Sequence, residues 1–287
     1  MADRHERWWV WVAFAVLCAV GASRWLLADR WPEMGSTLRS EAWACAVGAA
    51  VCAGVAVLRR RSLPETRRRL ELMLIGMGLL AMPIFAAALQ GPAGESLNRT
   101  IALAFVPVVA LTWGGPERLW PGLAGLAGAL LVLPFTRPPG VAGYFALALV
   151  PLAVGAACAL SGHVVREVSA AYAGALVFAG GGLGLAALEV GRVFAGGVEA
   201  QRFSAEAVAL DLLEAALVVA VVLRAGGVRY AARYFIVLLL MLAEGVFLLH
   251  QAITLRVALA MVLLAVAAAA LLRGRGTRSD TPGLQLR

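Results

Sequence analysis

RYFIVLLLMLAEGVFLLHQAITLR, running from Arg233 to Arg256, holds one acid, Glu244, inside an otherwise apolar run. A helix crosses the hydrocarbon of a bilayer with about 20 mostly apolar residues, and this run supplies them. A carboxylate at the centre of such a helix costs about 2.5–3.5 kcal/mol to insert. The stretch therefore reads as a lipid-spanning helix that keeps an acid for a reason. The rest of the chain is read outward from it.

The same texture fills the chain. Of 287 residues, 62% are hydrophobic and 15% charged, and the mean hydropathy is +0.85. Ordinary soluble domains carry about 25% charged residues. A water-exposed fold could not take up so much apolar surface without large exposed patches. Polar punctuation leaves apolar runs at 8–27, 38–58, 70–90, 97–114, 119–136, 142–162, 169–189, 204–223, 232–250 and 254–272. In lipid, backbone groups must pair within their own segment, so each run is expected to be a helix. The alternating polarity of a barrel strand is absent. The expected fold is an all-α polytopic membrane protein of about ten transmembrane helices, with no soluble domain.

Charge sets the expected orientation. All 25 basic residues are Arg, and the net charge is +8. They fall in short clusters between apolar runs, which argues against a nucleic-acid surface and for the positive-inside rule. With the N-terminus inside, 17 Arg lie in cytoplasmic segments and 8 in outer ones. Both termini are then cytoplasmic, in a multi-pass protein of the cell membrane. RRRSLPETRRR, Arg59 to Arg69, is the strongest anchor, a loop held at anionic headgroups. The N-terminal run reads as a first membrane helix rather than a cleaved signal peptide. Cys18, Cys45, Cys52 and Cys158 sit inside apolar runs without CxxC spacing and read as small buried hydrophobes. No metal or cofactor is expected.

A midpoint falls at TRPPG, Thr136 to Gly140. It divides the chain into 1–140 and 141–287, five runs each. An odd number of crossings per half inverts the second half, the arithmetic of an inverted repeat.

In AFVPVVALTWGGPERLWPGLAGLAGALLVL, from Ala104, a Pro-containing helix leads to a Gly-Pro-Glu turn and a Gly-rich helix. WPEMGSTLRSEAWACAVGAAVCAGVAVLRRR, from Trp31, has Pro ahead of it, Arg39 at its start and a basic end. With the five-plus-five layout, these residues resemble the drug/metabolite transporter superfamily in its EamA-like ten-helix branch. Pro107 and Glu117 fall on motif positions. In the second half Gln251 stands where the family usually has Glu, and the matching Pro is missing. The resemblance implies a ten-helix bundle around a central cavity, with access alternating between the two sides. It also implies export of small metabolites such as amino acids. The intramembrane acid that small four-helix members carry in their first helix has no counterpart between Trp8 and Leu27.

Buried charge marks the candidate site. Asp211 and Glu214 are three residues apart and share a helix face. They read as binders of a cation or proton, or as acids at a helix seam. Glu244 reads as a cavity acid or as an interhelix hydrogen-bond acceptor. Arg39 could reach a substrate carboxylate or pair with Glu41 or Glu33. Trp43 is a lining aromatic or a belt residue. AGGGLGLAA, Ala179 to Ala187, lacks the Lys-Ser/Thr of a phosphate loop, and Gly122, Gly125 and Gly128 offer a smooth face for close packing. HExxH, GxSxG and paired DxxxD motifs are absent, so no enzyme is expected. The expected function is secondary transport of a small molecule, as monomer or homodimer, with coupling to protons or another ion left open. The alternative is a non-transporting membrane protein, a sensor or scaffold or an enzyme of lipid-linked substrates.

Overall fold

The structure is a computed structural model that describes residues 2–30, 37–60, 64–88, 102–112, 119–133, 140–164, 168–194, 204–248, 250 and 252–273. Its helices are α1 (Ala2–Arg30), α2 (Leu38–Leu58), α3 (Thr66–Gly76), α4 (Met82–Ala88), α5 (Val106–Thr112), α6 (Trp120–Val132), α7 (Gly140–Val164), α8 (Ala170–Phe194), α9 (Ala205–Ala225), α10 (Gly227–Ala231), α11 (Arg233–Phe247) and α12 (Leu255–Arg273). A π-helical turn, Met77–Ala81, joins α3 to α4, and α10 runs into α11 through Ala232. The described residues thus form ten helical rods and no strand.

Local chemistry starts and stops these rods. α2 occupies the span read from the sequence because Thr37 and Ser40 form a reciprocal capping box. Thr37 Oγ1 accepts from the Ser40 amide at 3.0 Å, and Ser40 Oγ accepts from the Thr37 amide at 2.9 Å. Ser204 caps α9, its side chain accepting from the Ala207 amide at 3.0 Å. Gly226, at φ +89°, ends α9 in a conformation that side chains rarely adopt. The next rod therefore begins at Gly227, ahead of the expected 232.

The outward faces are apolar. Trp43, Val47, Val51 and Val55 recur at four-residue spacing along the exposed side of α2. Leu255, Leu259, Val262 and Val266, at spacings of four, three and four, line the exposed side of α12. Ser40, Ser161 and Asp211 are buried. Four helical spans are long and apolar enough to cross a membrane by length and composition: Leu38–Leu58, Ala170–Gly191, Gly227–Phe247 and Leu255–Arg273.

α2 pairs most extensively with α8, and α6 with α12. α3 and α8 meet backbone to backbone. A Cβ on Gly76 would collide with the Val177 carbonyl, and one on Gly180 with the Met73 carbonyl. Gly122, Gly125 and Gly128 of α6 are buried, with Gly125 under the Phe235 ring and Gly128 against Ala260 and Leu263 of α12. Two apolar clusters result. The larger one joins Leu17, Leu72, Val154, Phe178 and Val221; the smaller joins α6, α11 and α12 through Ala129, Phe235 and Leu264.

Candidate functional site

A cavity with about 80 Å³ of open space lies within the larger cluster. Its walls come from α2, the π-turn and α4, Leu103 ahead of α5, α9, and the α10–α11 rod. One side is apolar, with Leu79, Leu80, Ile84 and Leu103. The other is polar, with Glu41, Asp211, Glu214, Tyr230, Arg233 and Tyr234. The space holds several waters or a small polar molecule and is well below the usual drug-sized pocket.

The polar side has two connected parts. Asp211, 4% exposed, accepts a hydrogen bond at 2.6 Å from the Ser40 hydroxyl across the α2–α9 seam. The same hydroxyl lies 3.0 Å from the Thr37 carbonyl. It has one proton to give, and the shorter, charge-assisted contact to Asp211 is the stronger. The third residue of α2, which completes its capping box, therefore also orients the acid.

One turn along α9, Glu214 Oε1 meets Arg233 Nη2 at 2.6 Å, with the two side chains 13% and 12% exposed. Arg233 Nη1 donates to the Tyr230 hydroxyl at 3.1 Å. The guanidinium also lies 5.6 Å from the Tyr230 ring centre and 5.9 Å from that of Tyr234. The two hydroxyls are 3.5 Å apart, and the two rings meet edge to face. A cation held between ring faces and a carboxylate is fixed in plane and position. Gly21 of α1 leaves the room: a Cβ there would stand 3.6 Å from Arg233 Nη2.

The residues singled out from the sequence are distributed unevenly around this cavity. Asp211 and Glu214 line it. Glu244 accepts a hydrogen bond from Ser23 of α1 at 2.9 Å and is not among the lining residues. Arg39 and Trp43 lie on the exposed face of α2, and the α2 residues turned toward the cavity are Glu41 and Cys45. Helical periodicity explains this, since residues four apart share a face. Pro107 is buried in α5. Glu117 and Gln251 lie outside the described residues. The four cysteines are free thiols, with Cys18, Cys45 and Cys158 buried.

Arg233, Tyr230 and Tyr234 were not anticipated. Their signal was present in RYAARY, Arg229 to Tyr234, which repeats Arg-Tyr at a spacing of four. That spacing stacks both tyrosines on one helix face. Ser40 carried no signal of its own.

No family model and no curated protein matches the chain. Solved structures do match. One, described as "Crystal structure of protein", superposes with a TM-score of 0.60 at 20% identity, covering 91% of this chain and 97% of that one. At that identity the likeness concerns the fold, and it extends over nearly the full length of both chains.

Proposed function

We propose that the protein is a multi-pass transporter of the cell membrane that exports a small metabolite such as an amino acid by alternating access. The observation that carries this reading is a buried, charged cavity inside a body whose outer faces are apolar. Water as solvent would favour the reverse arrangement. Lipid favours this one, and intramembrane charges then mark a substrate or ion path. Asp211 and Glu41 offer partners for an ammonium group, and Arg233 offers one for a carboxylate, within one cavity.

Helix pairing supports two halves of five rods. Count α3 to α4 as rod 3 and α10 with α11 as rod 9. The two most extensive pairings, α2 with α8 and α6 with α12, each join a rod to the one five places on. Other pairings come in exchanged couples: α3 with α8 beside α9 with α2, α5 with α7 beside α11 with α1, and α1 with α9 beside α7 with α3. That is the pattern expected of a two-fold relation between 1–140 and 141–287. With five crossings each, the halves enter the membrane oppositely, as in the inverted repeats of the drug/metabolite transporter superfamily. The cavity takes walls from both halves.

Proteoliposomes loaded with labelled amino acids test the reading. Wild-type protein is expected to raise efflux over empty vesicles, and Asp211→Asn to abolish the increase. Failure to move any candidate metabolite, together with binding of a lipid-linked compound, would favour a non-transporting protein.

A further inference from the structure

We infer that the substrate is an amino acid with a short aliphatic side chain, between alanine and valine in size, and that Leu80 sets the upper limit. This rests on the transporter reading of the same cavity and adds which side chain the cavity accepts.

One wall of the cavity has no polar side chain. Leu79 and Leu80 of the π-turn, Pro83 and Ile84 of α4, and Leu103 ahead of α5 form it. None of these side chains has a strong donor or acceptor. Leu79 with Pro83, and Leu80 with Ile84, are each four apart, so both pairs run along one face of the rod. The other wall, from α2, α9 and the α10–α11 rod, carries the acids, Arg233 and the two tyrosines. An α-amino acid is divided in the same way. Its charged ends suit the polar wall, whatever further contacts the acids there make, and its side chain is left to the apolar one. A hydroxyl or a charge turned to that wall would be buried without a partner. Each methylene buried against it favours binding by about fourfold.

The apolar wall cannot retreat to admit more. In the π-turn the Met82 amide reaches back to the Met77 carbonyl, and the turn is wedged between two helices. A Cβ on Gly78 would stand 2.9 Å from the Ala153 carbonyl oxygen of α7. A Cβ on Gly181 of α8 would stand 2.8 Å from Leu80 Cβ, and one on Gly184 2.7 Å from Ala81 Cβ. Leu80 is therefore held between α8 and the cavity. Surroundings this closely packed resist enlargement, and a side chain too long for the space binds only at a cost in strain. The open space is about 80 Å³. At about 10–15 Å³ for each water-sized group, it holds roughly five to eight non-hydrogen atoms. Alanine and valine fall within that range, and phenylalanine exceeds it.

The test is efflux from proteoliposomes that contain the full chain and are loaded with two labelled amino acids at once. Each preference is then a ratio within one sample and does not depend on the folded fraction. Valine is expected to leave about tenfold faster or more than threonine, which has its shape with a hydroxyl in place of a methyl. The same margin is expected over phenylalanine. Alanine should trail valine by about fourfold per missing methylene. Leu80→Ala enlarges the space and should raise the leucine-to-valine ratio by about tenfold over the wild type. Gly181→Ala pushes Leu80 toward the cavity and should raise the alanine-to-valine ratio. Ratios that neither variant changes overturn the proposal. Efflux of threonine, aspartate or phenylalanine in preference to valine also overturns it, while keeping the transport reading. No efflux of any amino acid overturns both.

Discussion

At the scale of single residues, Ser40 has two duties, and its hydroxyl serves one with a lone pair and the other with its proton. It closes the capping box of α2 as an acceptor and spends its proton on Asp211. Ser40→Ala should therefore lower stability by about 1 kcal/mol, the size of an interhelix hydrogen bond in an apolar medium, read as a shift in thermal unfolding. Asp211→Asn in that background should cost less than in the wild type, because the Ser40 contact is already gone. Glu244 separates from this group. It accepts a hydrogen bond from Ser23, and Gln at 244 can still accept that bond. Glu244→Gln should leave efflux unchanged, and a large loss would return Glu244 to the site. Arg39→Gln and Trp43→Leu, changes on the outward face of α2, should likewise leave ligand affinity within about twofold, on the order of the ±0.5 kcal/mol typical of surface substitutions.

At the scale of elements, close approach is the controlling quantity. Gly76 and Gly180 each face a carbonyl of the partner helix, so any side chain there must push two backbones apart. Gly76→Ala should destabilise by about 1–3 kcal/mol, the usual cost of overpacking, and thermal unfolding in detergent would show it. The π-turn that follows Gly76 presents Leu79 and Leu80 to the cavity, so a packing fault in α3 would be felt at the site. Gly226→Ala acts by another route. Its φ of +89° strains a side chain although there is open space around it. A cost of about 1–3 kcal/mol is expected, with ligand binding retained in the folded fraction.

At the scale of the molecule, the question is which solvent the outer faces meet and which way the halves point. A two-fold relation with five crossings per half puts the start of α9 and the end of α2 on opposite sides. Glu206 and Arg60 are exposed at those places. In sealed cells, Glu206→Cys should react with an impermeant thiol reagent from outside, and Arg60→Cys only after the membrane is opened. The four native thiols are mostly buried and give little background. Labelling of both positions from the same side would reject the inverted arrangement.

The amino-acid sequence by itself determined the number of helical rods among the described residues, the span of α2 at Leu38–Leu58, and the shared face of Asp211 and Glu214. Those properties depend on neighbours within one or two turns, and periodicity records them. It also contained the Arg-Tyr repeat at residues 229–234, whose meaning needed a partner to be seen. Only the tertiary structure decided that Ser40 reaches Asp211 across 171 residues, that Arg233 takes Glu214 as its counter-ion, and that Glu244 answers to Ser23 rather than to the cavity. Apolar helices look alike on every face until packing chooses one. That choice rests on where glycines let backbones touch and where buried charges find each other, and both are set by contacts far apart in the chain.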